Sequence, residues 1–123
     1  MEKHNDYIER TCVAIGRAIA KIIGLKEKGQ YTQAMEELHY NHLLYFDDFS
    51  LEDESDFKML DLYGSFLFEK IELMFEVNNL EEVGSLIQKS LELLKKAREL
   101  SKTYDFQREK KIEKLTILLT NIQ

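Results

Sequence analysis

The run FKMLDLYGSFLFEKIELMFEV, residues 57–77, decides the fold class of this chain. Placed on a helix at 100° per residue, Lys58, Asp61, Ser65, Glu69, Glu72 and Glu76 fall in one sector of about 80°. Phe57, Leu60, Leu62, Tyr63, Phe66, Leu67, Phe68, Ile71, Leu73, Met74, Phe75 and Val77 cover the remaining circumference. Leaving even four of those side chains in water forgoes about 6–12 kcal/mol, at about 1.5–3 kcal/mol each. That rivals the entire net stability of a domain, about 5–15 kcal/mol. The run is therefore expected as a helix, about 56–77, covered on two sides by its own chain or by a partner.

Working outward, residues of about 6–28 read as a helix of the same kind, with Asn5 or Asp6 as its cap and Gly29 as its stop. Arg10, Arg17, Lys21 and Lys28 form a thin basic stripe within about 60°, and nearly everything else there is apolar or small. This helix too is expected to be central. Residues of about 32–45 read as a helix carrying Tyr31, Ala34, Met35 and Leu38 on one side. Between it and the decisive run lies an acidic loop, about 46–55, in which Asp47–Asp56 holds six acids and no base. Ser50 with Asp53, and Ser55 or Asp56 before Phe57, read as helix starts. Downstream, Asn78-Asn79 marks a turn. Residues of about 81–102 form a one-sided helix through Val83, Leu86, Ile87, Leu91, Leu94, Ala97 and Leu100. A narrower one, about 105–121, runs through Ile112, Leu115, Leu118, Leu119 and Ile122 and suits a helix that closes the core. The expectation is a single all-α domain over 1–123, with five helices in antiparallel hairpins forming an array or bundle.

Composition supports that class. The 123 residues are 44% hydrophobic and 33% charged, with no proline and five glycines, which leaves β-hairpins little punctuation. The single cysteine, Cys12, makes no internal disulfide, excludes a Cys-rich zinc site and is expected as a buried small hydrophobe. The net charge of −6 has the wrong sign for a general nucleic-acid binder. The bases near the last turn, from Lys95 to Lys114, are interleaved with Glu92, Glu99, Asp105, Glu109 and Glu113, so no nucleic-acid partner is expected. Met1–Asp6 is mixed in charge, and Arg17 and Lys21 break the apolar stretch from Cys12 to Leu25. No signal peptide, membrane span or membrane partner is expected, and the cytoplasm is the expected compartment. Charge is unevenly divided: residues 1–35 sum to +2, residues 36–82 to −12 and residues 83–123 to +4. Such segregation reads first as solvated helix faces whose charges happen to divide this way, with packing of the ends on the middle, or pairing between molecules, as the alternative.

Two turns carry a repeat-like signature. Gly29-Gln30-Tyr31-Thr32-Gln33-Ala34 has the Gly-x-Tyr-x-x-Ala pattern and resembles the inter-helix turn of a tetratricopeptide repeat. There the glycine permits the turn, the aromatic packs back on the first helix and the alanine lets two helices approach. A second copy, Asn78-Asn79-Leu80-Glu81-Glu82-Val83, continues to Ser90 in the place of the repeat's second small residue. The turns are 49 residues apart, against a repeat period of about 34. The resemblance implies a tetratricopeptide-like array with a C-terminal capping helix. The segment from Asp6-Tyr7-Ile8 through Gly24-Leu25-Lys26-Glu27-Lys28-Gly29-Gln30-Tyr31 also resembles the start of an uncharacterised family of small bacterial helical proteins, a resemblance that brings no catalytic residue.

Chemistry-bearing patterns are few. Glu36, His39 and His42 form Glu-x-x-His-x-x-His, a metal-like spacing, yet carboxylate di-iron bundles need Glu-x-x-His twice with further glutamates, and the only other histidine is His4. A partly buried His42 bonded to a tyrosine hydroxyl explains the pattern as well. The acidic loop lacks the central glycine of a calcium loop. Gly64 and Gly84 inside helices imply close helix approach, since each costs about 1 kcal/mol relative to alanine. No phosphate loop or nucleophile elbow is present. The expected function is a non-enzymatic, cofactor-free interaction module that binds a protein or peptide, or its own copy as a homodimer. Its groove is expected between the first and third helices, lined by Tyr31, Tyr40, Tyr63 and Phe66, with Ile15 and Ile19 as the self-association face. The alternative is a bundle holding a metal or small ligand around Glu36, His39 and His42.

Overall fold

The structure, a computed structural model, describes residues 2–48 and 56–122, with side chains from Asp6 onward. These form an all-α arrangement of α1 (Glu2–Glu27), α2 (Tyr31–Tyr45), α3 (Phe57–Glu76), α4 (Val83–Ser101) and α5 (Phe106–Ile122). The expected helix starts at Ser50 and Ser55 and most of the acidic loop lie outside the described residues. No helix among the described residues is long and apolar enough to cross a membrane.

The helix ends follow from local chemistry. α1 begins at Glu2, so Asn5 and Asp6 sit inside it rather than capping it. Gly29 takes the left-handed conformation (φ 74°), with its N–H donating to the Lys26 carbonyl and that of Gln30 to the Leu25 carbonyl. Asn78 does the same after α3 (φ 55°), its N–H donating to Phe75 and that of Asn79 to Met74. Both turns are thus the same two-bond C-terminal cap, in residues that tolerate a positive φ. The copies diverge immediately afterwards. α2 starts at Tyr31 directly behind its cap, whereas Glu82 is left-handed (φ 63°) and holds α4 back to Val83, two residues past the expected start. Asp56 caps α3 by accepting from the Lys58 N–H at 2.9 Å, and Asp105 caps α5 by accepting from the Arg108 N–H at 2.9 Å.

α3 packs on all four other helices, which is what its apolar circumference demands. α1 is not central. It packs on α2 and α3 alone and leaves Val13, Arg17 and Ala20 in solvent. The reason lies in size: its outer side carries Gly16, Ala20 and Gly24, which are apolar in pattern but offer little area to bury. The core has two parts. Ile15 and Ile22 of α1, Ala34 and Leu38 of α2, and Leu60, Tyr63, Phe66 and Leu67 of α3 form one cluster with Phe46, whose ring stacks on Tyr63 at 4.2 Å. Phe68, Ile71 and Met74 continue the core against Val83, Ile87, Leu91 and Leu94 of α4 and Ile112 and Leu115 of α5.

The closest helix contact is between α3 and α4. A Cβ built on Gly64 would stand 2.7 Å from Cγ and Cδ2 of Leu94, and the buried Ser90 hydroxyl donates to the Gly64 carbonyl at 2.8 Å. Gly84 differs, because a Cβ there meets only Ile122 at 3.5 Å, an ordinary contact. Cys12 is half-buried, with Sγ 3.6 Å from Met59 Sδ.

Candidate functional site

The polar sector of α3 is not a solvent face. Glu69 is only 5% exposed, and its Oε1 accepts from Lys26 Nζ of α1 at 2.6 Å. The same ammonium donates to Glu72 Oε1 at 2.7 Å, and Lys114 of α5 pairs with the other oxygen of Glu72. Farther along, Lys111 Nζ donates to Ser65 Oγ at 3.1 Å and Arg108 lies 3.8 Å from Asp61. Bases from both mildly basic ends of the chain therefore meet acids of the acidic middle, the alternative to solvated faces that the charge segregation left open.

These pairs have electrostatic consequences. Burial pulls the Lys26 ammonium down, but its bonds to Glu69 and Glu72 outweigh this and hold it above its ordinary value. Burial pushes Glu72 up, yet its bonds to Lys114 and Lys26 hold it below the usual carboxylate range. Asp61 is raised because burial dominates over the opposing Arg108 charge. Arg108 is 2% exposed and is held mainly by the Thr103 carbonyl at 2.8 Å and Ser101 Oγ at 3.1 Å.

Above this ionic floor lies a groove of about 580 Å3. Its walls are Ile19 and Ile23 of α1 on one side and Gln107, Lys110, Lys111, Glu113, Lys114 and Ile117 of α5 on the other; its floor is Phe68, Glu69 and Glu72 of α3. No lining residue comes from α2 or α4. A second recess of about 420 Å3, lined by Lys26, Glu27, Tyr31, Phe75, Glu76 and Leu118, shares Glu72 and Lys114 with the first. α1 and α5 make no close backbone approach among the described residues, so Glu72 joins walls that are otherwise separate.

The expected site residues are dispersed. Tyr63 and Phe66 are buried in the core and line no open surface, because they point from α3 towards Phe46 rather than towards α5. Tyr40 stands in solvent on the outer side of α2, and Tyr31 reaches only the second recess, its hydroxyl 3.3 Å from Glu76. Ile15 is wholly buried beneath α1, whereas Ile19 does line the groove. Glu36 and His39 are exposed while His42 turns inward against Phe46, Tyr63 and Phe66, so the three do not converge. His42 Nδ1 has no hydrogen-bond partner, and no tyrosine hydroxyl reaches it. Among the described residues no group of three or more His, Cys, Asp or Glu side chains is placed to hold a metal ion. Among the lining residues not expected at a site are Ile23, Phe68, Lys110 and Ile117; the periodicity placed Phe68 on the apolar circumference of α3 without saying which neighbour it meets, and the signal for that was the charge match between α3 and α5.

No protein-family model matches the chain, and no curated protein or solved structure is significantly similar to it.

Proposed function

We infer that this chain is a non-catalytic helical interaction module of tetratricopeptide-like build, whose groove takes a segment of a protein partner or of its own copy. The observation that carries the reading is the groove itself, lined by α1, α3 and α5, with apolar side chains from all three. A concave site in which apolar side chains and converging polar groups meet is a usual form of recognition site. Its buried polar groups are bonded to one another across helices, an arrangement that holds walls in place rather than presenting a free acid, base or nucleophile. The net charge of −6 and the acids among the α5 bases favour protein over nucleic acid. With no membrane-crossing helix among the described residues, the reading is of a module working in the cytoplasm.

The test is paired affinity capture from source cells with the tagged wild type and with Ile117→Glu, which places a charge on the exposed groove wall. A stoichiometric protein, or the chain's own copy, retained by the wild type and lost by the variant supports the groove. Equal capture by both, or none by either, overturns it.

A further inference from the structure

α2 is apolar on two opposite sides. Ala34 and Leu38 face the core, while Tyr40, Leu43 and Leu44 stand 63%, 54% and 55% exposed on the outside. Their spacing of i, i+3 and i+4 places them in one ridge, the arrangement with which a helix anchors in a partner's groove. The ridge is acidic at both ends: Glu36 lies one turn before Tyr40, and Asp47 and Asp48 follow Leu44. No lysine or arginine occurs between Lys28 and Lys58, so nothing basic interrupts it.

The groove presents the complement. Its apolar residues are Ile19, Ile23, Phe68 and Ile117, and its α5 wall carries Lys110 and Lys111 against the single acid Glu113, Lys114 being held by Glu72. Glu69 and Glu72 on the floor are already paired with Lys26 and Lys114. Lys110 lies over the Phe106 ring at 5.4 Å and has no ion pair among the described residues. An occupant with an apolar ridge and acidic flanks satisfies both parts of this surface.

We propose that the occupant is the outer ridge of α2 from a second copy of this chain, docked head-to-tail in the groove. The inference rests on the groove reading above and adds the identity of the segment. Ridge and groove are different surfaces, so the contact is heterologous: each copy still offers one free ridge and one free groove, and assembly continues unless it closes into a ring.

Light scattering and sedimentation over a wide concentration range test this with the wild type, Leu43→Glu and Ile117→Glu. Both substitutions are at exposed positions, and circular dichroism checks that each variant remains folded. The expected result is a wild-type mass that rises with concentration and falls with salt, and about a tenfold or greater loss of association in each variant. Mixing the two variants should then restore one joint, the intact ridge of Ile117→Glu in the intact groove of Leu43→Glu, giving a dimer and nothing larger. A wild type monomeric at every concentration overturns the proposal; if Ile117→Glu still loses a captured foreign protein, the groove reading survives without it. Self-association lost in Leu43→Glu but kept in Ile117→Glu indicates a ridge-to-ridge contact and also overturns it, as does association unchanged in both.

Discussion

The Ser90 hydroxyl donates to the main-chain carbonyl of Gly64 at 2.8 Å, across the tightest contact between two helices of this fold. The hydrogen bond exists because Gly64 has no side chain: Leu94 occupies the place where a Cβ would stand. Gly64→Ala should therefore destabilise the protein by about 1–2 kcal/mol, overpacking outweighing the helix-propensity gain. Gly84→Ala should stabilise it by up to about 1 kcal/mol, since its added methyl meets only an ordinary contact with Ile122. Urea unfolding midpoints of the two variants, moving in opposite directions, check the pair.

Lys26 is the partner of the buried Glu69 carboxylate. Lys26→Ala strands that charge and should cost about 3–5 kcal/mol. Replacing both residues together, Lys26→Leu with Glu69→Leu, should recover most of the loss, because an apolar pair needs no counter-charge. A double-mutant cycle by chemical denaturation reads the coupling directly.

Stability should depend on pH in two windows. Burial, then the charges of Lys70 and Lys89, hold His42 below its ordinary value near 6.5. The unfolded chain therefore binds a proton that the native protein resists, and stability falls as pH drops below about 6.5 towards the native value. His42→Leu should remove that slope. Glu72 is also depressed, so its contribution is full above the unfolded value near 4.5 and is lost as pH falls below it. Glu72→Gln should flatten the lower window and leave the upper one. Thermal unfolding against pH separates the two variants.

Substitutions along α1 should divide sharply by side. Ile15→Asp places a carboxylate in a fully buried position and should unfold the protein or cost several kcal/mol, more than about 4. Val13→Asp, 53% exposed two residues away, should stay within about 0.5 kcal/mol of wild type. Circular dichroism melts distinguish these outcomes.

The helices were legible because apolar spacing, Gly29, Asn78 and the Asp56 cap act within a few residues of where they stand. The start of α4 was not: Glu82 is left-handed, and glutamate carries no local preference for that conformation. The centrality of α3 followed from its large side chains, whereas α1 misled because glycine and alanine complete an apolar pattern without supplying area. The four aromatics expected along a groove do not share one surface. An all-round apolar helix such as α3 does not say which of its aromatics meet another helix, so Tyr63 and Phe66 read the same as Phe68. The charge balance held part of the missing information, because the acids of α3 need basic partners, which Lys26 and the α5 bases supply.

The Glu72 carboxylate works as a removable strut. It stands between recesses of about 580 and 420 Å3, touching Lys26 on one side and Lys114 on the other, and it lines both. With the strut in place the surface offers two short bays. Acid, which protonates the carboxylate, removes the charge that ties α1 to α5 at this point. The spacing of the two walls about that point is thus held by charge as well as by packing.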